Sequence, residues 1–300
     1  MSFDVCVKAP AKVNIGLKVL KKQAEGRRKC NNSYHNIESI FQTVDYSDTL
    51  RIRRVPQKGC VVHCSQMVLP LENTLTKTYE AFCSETKIDF GVEVELDKVL
   101  PAGGGLGGGS SDGASLLKGL ADLAELPLTD SLADAVAEKV GSDVFFFLHC
   151  GYFQNGRGCA LVSGRGELVE AIEPRTDLSF VLIFPGVHSS TVEAYSLVDE
   201  AYESGAYNPD FLGSFPDFME LKRLYYGFVG AWKFANSFTP VLSNKYPAIG
   251  EALADIMECG ADWADMSGSG ATVFGVFESG AAAEVALEKC RKKWKCVLAH

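Results

Sequence analysis

Hydrophobic and polar positions alternate from the start of the chain. Residues 4–8 alternate, and Val13, Ile15, Leu17 and Val19 share one face, the period-two signature of strands. The same pattern predicts strands over 50–54, 60–64 and 91–96. Between them, Leu75, Tyr79 and Phe82 recur at helical spacing and predict a helix over 73–85. Ala114, Leu117, Leu120, Ala121 and Ala124 predict a second helix, beginning near Ser110. Leu132, Val136 and Val140 predict a third over 129–140. A buried-looking run follows at 144–148, then glycine-rich turns over 151–166. The second half reads as a strand at 180–184, a helix at 192–202, and a loop with Pro209 and Pro216. Helices over 219–235 and 247–258 follow, and the chain ends strand–helix–strand at 271–277, 281–293 and 295–298. Strands and helices mixed in both halves predict an α+β protein of two domains, 1–170 and 171–300, with a cleft between them.

Composition narrows the function classes. The chain has 300 residues, 47% hydrophobic and 22% charged, which is ordinary for a globular protein with a large core. A net charge of −9 argues against a nucleic-acid partner. The first residues carry no apolar or Arg/Ser-rich targeting pattern, and no long apolar run occurs, so a soluble cytoplasmic protein with no membrane contact is expected. Ten cysteines are scattered without a CxxC pair, which does not suggest a disulfide framework. Cys60, His63 and Cys64 lie close together but lack a second ligand pair, so they read as ordinary thiols and a histidine. The polar, basic stretch 21–33 reads as an exposed loop.

The chemistry concentrates at 101–112, Pro-Ala-Gly-Gly-Gly-Leu-Gly-Gly-Gly-Ser-Ser-Asp. Glycine at this density lets backbone N–H groups converge on one point, and the run feeds a helix N-terminus, which favours an anion, most often phosphate. A Walker loop is excluded, because Gly109-Ser110-Ser111 contains no lysine. The dinucleotide pattern GxGxxG is matched by Gly103, Gly105 and Gly108, but residues 97–102 separate it from the preceding strand. A dinucleotide-dependent oxidoreductase therefore stands as the alternative from another class.

The string from Pro101 to Ser111 resembles the signature motif of the GHMP kinases. Residues 9–14, Ala-Pro-Ala-Lys-Val-Asn, resemble the first motif of that superfamily. Residues 266–271, Met-Ser-Gly-Ser-Gly-Ala, resemble the third. Three ordered motifs thus span residues 9–271. Within the superfamily, residues 10–17, Tyr34-His35, Glu38, Phe41-Gln42 and Gly141-Ser142-Asp143-Val144 are most similar to the 4-diphosphocytidyl-2-C-methyl-D-erythritol kinase branch. A homoserine- or mevalonate-type kinase is the alternative inside the superfamily, and it would have no use for the Tyr34-His35 pair. The chain departs from the branch in a longer segment before Tyr34, in Phe145 where proline is usual, and in an insertion around 152–159.

The resemblance implies a ribosomal protein S5 domain 2-like N-terminal domain and a ferredoxin-like C-terminal domain, with the active site in the cleft between them. It implies ATP and Mg²⁺ as cofactors, a cytidine-diphosphate-linked small molecule as substrate, and a monomer or weak homodimer. Pro101, Ala102, Gly103, Gly104, Gly105, Leu106, Gly107, Gly108, Gly109, Ser110 and Ser111 would hold the ATP phosphates, with Asn73 and Lys98 near the adenine. Ser110 or Ser111 would reach Mg²⁺, although either can serve only as a helix cap. Asp143 would be the base and Lys12 its partner at the acceptor hydroxyl. Asn14, Tyr34, His35 and Tyr195 would bind substrate, the last three at the cytidine. Ser267, Gly268, Ser269 and Gly270 would approach the substrate phosphate or diol.

Overall fold

The computed structural model describes residues 3–21, 35–207, 211, 213 and 215–300. Two sheets organise them. The first contains β1 (Val5–Val19), β2 (Ile37–Val55), β3 (Cys60–His63), β4 (Gly91–Asp97), β5 (Cys159–Ser163) and β6 (Leu168–Ile172). Its spine runs β3-β4-β2-β5-β6, with β1 paired antiparallel to the long β2. Packed with it are α1 (Thr74–Thr86), α2 (Gly108–Leu123), α3 (Asp130–Val140), α4 (Ser142–His149) and the short α5 (Tyr152–Asn155).

The second sheet is antiparallel, in the order β10-β7-β9-β8: β7 (Ser179–Phe184), β8 (Trp263–Met266), β9 (Val273–Phe277) and β10 (Lys295–Ala299). Chain order with α6 (Thr191–Glu203) and α10 (Gly280–Cys290) is strand–helix–strand–strand–helix–strand, the ferredoxin-like arrangement. Between α6 and β8 lie α7 (Phe218–Tyr225), α8 (Phe238–Lys245) and α9 (Pro247–Glu258). Each half thus matches the α+β architecture implied by the motifs. The expected boundary at 170 falls inside β6, which pairs with β5; the chain changes sheets between Ile172 and Ser179.

Several expectations shift at element ends. Residues 4–8 and 13–19 form one strand, because Pro10 and Gly16 are taken up by bulges at 10/11 and 15/17 rather than by a break. The strand β2 begins at Ile37, well before the run at 50–54, because its first half is buried on both faces and shows no alternation. The run at 144–148 lies in helix α4. The turns expected over 151–166 include β5, and β6 and β8 were not foreseen.

β1 lies between the two halves. Ala11, Val13 and Ile15 enter the apolar cluster that also holds Phe180, Phe274 and Trp263 of the second sheet. Period-two alternation then puts Lys12 and Asn14 on the opposite face. Beneath them the first core includes Phe41, Phe146 and Phe147, with Phe146 edge-on to both others at ring distances of 5.2 and 5.1 Å. No helix among the described residues is long and apolar enough to cross a membrane.

Phe146 supports Phe41, whose ring lies under the Lys12 ammonium. Phe146→Ala should lower unfolding free energy by about 3–5 kcal/mol, the usual cost of an emptied aromatic site. Denaturant unfolding checks this; a loss below about 1 kcal/mol would mean that Phe146 does not brace the core.

Candidate active site

The cleft between the halves holds a cavity of about 540 Å³. The whole stretch 101–110 borders it, together with Lys12, Asn14, Asn73, Lys98, Asp143, Tyr195, Gly268 and Ser269. The three glycine- and lysine-bearing motifs, far apart in sequence, therefore line one space.

They meet at the carbonyl of Gly105. It accepts hydrogen bonds from Lys12 Nζ at 3.0 Å and from Ser267 Oγ at 2.9 Å. The approach is so close that a Cβ on Gly105, already at φ +76°, would stand 1.9 Å from the Ser267 carbonyl oxygen. Only glycine fits there. The Lys12 amide donates to Leu106 O at 3.0 Å, and Thr272 N donates to Gly104 O at 3.2 Å, so backbone pairing secures the loop from both sides.

Helix α2 starts at Gly108, two residues earlier than its sequence pattern predicts, with Gly107 in the left-handed region as its N-cap and no side-chain cap. The first-turn amides of Gly108, Gly109 and Ser110 have no intrahelical acceptor and carry the positive end of the helix dipole. Ser110 borders the cavity. Ser111 does not: its Oγ is sealed from solvent without a hydrogen-bond partner, because helical phase turns it inward. Of the two serines expected at phosphate or metal, Ser110 is the one that faces the cleft.

Lys12 is buried, with its side chain 4% exposed. Its ammonium donates to Asn14 Oδ1 at 2.5 Å, lies 4.7 Å from the Phe41 ring centroid, and stands 3.8 Å from Asp143 Oδ2. Burial lowers the Lys12 pKa from the ordinary lysine value, and the Asp143 charge opposes that shift. Asp143 lies in the first turn of α4, with its side chain 36% exposed to the cavity. The pair is thus a buried cation with a more accessible carboxylate in front of it.

A second buried lysine has a different setting. Lys98 Nζ lies 2.5 Å from Asp48 Oδ2 and 2.7 Å from Asp112 Oδ2. Asp48 Oδ1 accepts from the amides of Val99 and Leu100 and pins the chain entering the glycine loop. Asp112 Oδ1 is buried with no partner. Burial, reinforced by the Asp48 charge and opposed by Lys98, pushes the Asp112 carboxyl up to about 7. Asn73 also borders the cavity, but its side chain caps α1, accepting from Leu75 N and Thr76 N and donating to Pro70 O. Its polar atoms are committed to the cap, so it shapes the wall. Met67, Leu69, Pro70, Leu75 and Leu96 complete an apolar recess there, sized by side chains that no motif marks.

At the other end, His35 stacks on Tyr195 with ring centroids 4.8 Å apart and planes 16° from parallel, and His35 Nε2 lies 2.6 Å from Asp199 Oδ1. Tyr195 borders the cavity and meets Phe238 edge-on at 4.9 Å, whereas His35 stands behind it. His35 and Tyr195, both expected at the cytidine, are brought together, but ring on ring, leaving no room for a base between them. Tyr34 lies outside the described residues. Ser267 and Gly270 do not border the cavity, because the Ser267 hydroxyl is spent on Gly105 O and Asn14 Oδ1. Gly268 and Ser269 form the part of the motif that borders the cavity, and Ser269 Oγ lies 3.0 Å from Thr191 Oγ1.

Sequence reasoning missed Asn236. Its Nδ2 donates to Met266 O at 2.7 Å and Gly268 O at 2.8 Å, and its Oδ1 accepts from Phe238 N at 2.9 Å. The flanking backbone pairs with Leu17 of β1. One buried amide thus fixes the third motif and the Phe238–Tyr195 wall relative to the strand that carries Lys12. An isolated asparagine gives no sequence signal, though Asp199, four residues after Tyr195 on one helix face, does.

Residues 73–151 match the GHMP kinases N terminal domain and residues 213–296 match the GHMP kinases C terminal domain. The chain is 36% identical to 4-diphosphocytidyl-2-C-methyl-D-erythritol kinase of Treponema pallidum, covering 97% of this chain and 96% of that one. It is 36% identical to the Thermotoga maritima protein of the same name, covering 89% and 90%. A solved structure of 4-(cytidine 5'-diphospho)-2C-methyl-D-erythritol kinase superposes with a TM-score of 0.73 at 27% identity, covering 98% of both chains. A homoserine kinase from Cytophaga hutchinsonii reaches the same TM-score at 19% identity, covering 98% of this chain and 93% of that one, and shares the fold.

The Asp112 carboxyl sits far above its ordinary value of 3.8 when folded. A raised carboxyl contributes stability at low pH that is lost as pH climbs from about 4 through about 7. Asp112→Asn cannot ionise and keeps that stability. It should therefore unfold at higher temperature than the parent protein near about pH 8, with the gain shrinking to nothing near about pH 4. Thermal unfolding across that range checks it; a gain independent of pH would refute the assignment.

Proposed function

The chain belongs to the 4-diphosphocytidyl-2-C-methyl-D-erythritol kinase family of GHMP kinases, and from that premise we propose how its cleft carries out ATP-dependent phosphorylation of the 2-hydroxyl of 4-diphosphocytidyl-2-C-methyl-D-erythritol, a step of the non-mevalonate isoprenoid route. The observation that carries the reading is the Lys12–Asp143 pair beside a glycine loop that runs into α2, whose first turn has no side-chain cap.

Phosphoryl transfer asks for positioning and charge stabilisation more than for covalent chemistry. The amides of 108–110 receive the ATP phosphates at the positive end of α2. The apolar recess of Met67, Leu69 and Pro70 takes the adenine beside Lys98. The acceptor hydroxyl oxygen attacks the γ-phosphorus, the bond from that phosphorus to the β,γ-bridging oxygen breaks, and ADP leaves. Asp143 accepts the hydroxyl proton, and Lys12 stabilises the developing negative charge. Asn14, hydrogen-bonded to Lys12, orients the substrate diol. Tyr195 offers a stacking face for the cytosine with His35 bracing its ring from behind, Tyr34 is assigned to the base by the motif alone, and Gly268 and Ser269 approach the substrate from the third motif.

Mg²⁺ belongs to the same reading. Groups of three or more histidine, cysteine or acidic side chains able to hold a metal are absent among the described residues, which fits an ion carried mainly by ATP phosphates and water. Ser110 is the hydroxyl placed to join it, and the ion would neutralise phosphate charge. The reading also places the enzyme in the cytoplasm as a monomer or weak homodimer.

A coupled ADP-release assay tests the substrate, with mevalonate, homoserine and galactose as alternative acceptors; turnover confined to one of those three would overturn the assignment. Asp143→Ala and Lys12→Met should each lower kcat by roughly two or more orders of magnitude while circular dichroism shows a folded chain. A folded Asp143→Ala variant with near-normal kcat would remove Asp143 as the base.

A further inference from the structure

Away from the cleft, the insertion after α4 roofs a separate cavity of about 310 Å³, and none of its lining residues borders the larger one. The insertion is pinned to β2 by paired bonds between Thr43 and Gly158: Thr43 N donates to Gly158 O at 2.8 Å and Gly158 N to Thr43 Oγ1 at 2.9 Å. This fixes the backbone on one side of Arg157. Its guanidinium is half-buried, with Nη1 sealed from solvent and without an acceptor, and it has no carboxylate partner among the described residues. Opposite stands Lys8, whose Nζ donates to Thr49 Oγ1 at 2.8 Å and likewise has no carboxylate partner there. Asp45 is the acidic side chain on the wall, and its Oδ1 is engaged by the amide of His300 at 2.6 Å. Thr43, Ser47, Tyr152 and His300 add further polar residues to the lining.

A guanidinium held partly out of water normally finds a carboxylate or another anion, because an unsatisfied buried charge is costly. We propose that this cavity is a second anion-binding site, in which Arg157 and Lys8 hold the phosphate or carboxylate of a small metabolite. The planar fork of arginine suits a tetrahedral or planar oxyanion, lysine adds a point charge, and the hydroxyls donate to the remaining oxygens. A volume of about 310 Å³ admits a small molecule rather than a bare ion. The site is independent of the kinase reading. It joins the insertion to β1 four residues before Lys12, so occupancy would brace the strand that carries the catalytic lysine.

Isothermal titration tests it, at fixed ionic strength, on enzyme saturated with a non-hydrolysable ATP analogue so that the glycine loop is filled. Inorganic phosphate and citrate are the two probes and separate the phosphate from the carboxylate source. At least one should bind, and R157Q should weaken it at least about tenfold, the value of a charge-assisted bond. R157K, with the charge but no fork, should fall between them. R291Q, an exposed control just past the end of α10, should bind like the parent, and kcat of R157Q without added anion should be unchanged. Should R157Q fail to fold, K8Q carries the same test. No binding of either anion by the parent, equal binding by the folded variant, or an equal loss in R291Q would each overturn the proposal.

Discussion

The structure of the cleft depends on what satisfies the Lys12 ammonium. A lysine taken almost wholly out of water must find acceptors. The acceptors come from three places in the chain: Asn14 two residues on, the Gly105 carbonyl in the glycine loop, and Asp143 at the start of α4. Each constrains its own element. Gly105 can offer its carbonyl only because it lacks a Cβ and the third motif can press against it. Ser267 then shares that carbonyl and the Asn14 amide oxygen, which locks the third motif to the other two. The geometry around Lys12 and the closure of the two halves are thus one hydrogen-bond network.

The two buried lysines of the cavity show how environment sets role. Lys98 is held at short distance by two carboxylates, so its charge is more than neutralised and its work is to anchor Asp48 and the entry to the glycine loop. Lys12 faces one carboxylate, farther away and partly solvated, with the remaining contacts made by neutral oxygens and an aromatic face. Its field is left to act on whatever enters the cavity beside it. Burial pulls its pKa down while Asp143 supports the charged form, a balance suited to a group that must stay cationic yet respond to a reacting oxygen.

Much of this was legible in the sequence, for physical reasons that can be named. Glycine density, the three motifs and the residues around Asp143 are visible because close backbone approach and converging amides restrict residue type locally. Strand β1 was visible as two pieces: its alternation shows at 4–8 and 13–19, but Pro10 and Gly16 look like breaks until the bulges are seen. The first half of β2 was hidden because a strand covered on both faces has no alternation to read. Ser110 and Ser111 are equivalent as letters, and only helical phase separates the one at the cleft from the one sealed beneath it. Asn236 and the Asp48 cap could not be read at all, since their partners lie about thirty to fifty residues away in sequence and become neighbours only through the fold.

The His35–Tyr195 stack bears on how such a cleft takes a nucleobase. Two rings 4.8 Å apart already satisfy each other, and Asp199 fixes the imidazole from behind. A base cannot slide between them, since two stacking gaps need roughly 7 Å between ring centres. It can lie only on the cavity side of Tyr195, with His35 acting through the tyrosine it supports, or between the rings after Tyr195 swings away. Phe238 limits that swing, because it meets the Tyr195 ring edge-on and is itself tied through its amide to Asn236. The same asparagine holds the third motif. Movement of the Tyr195 wall is therefore mechanically joined to the loop that closes on Gly105, and so to the Lys12 network at the other end of the cleft.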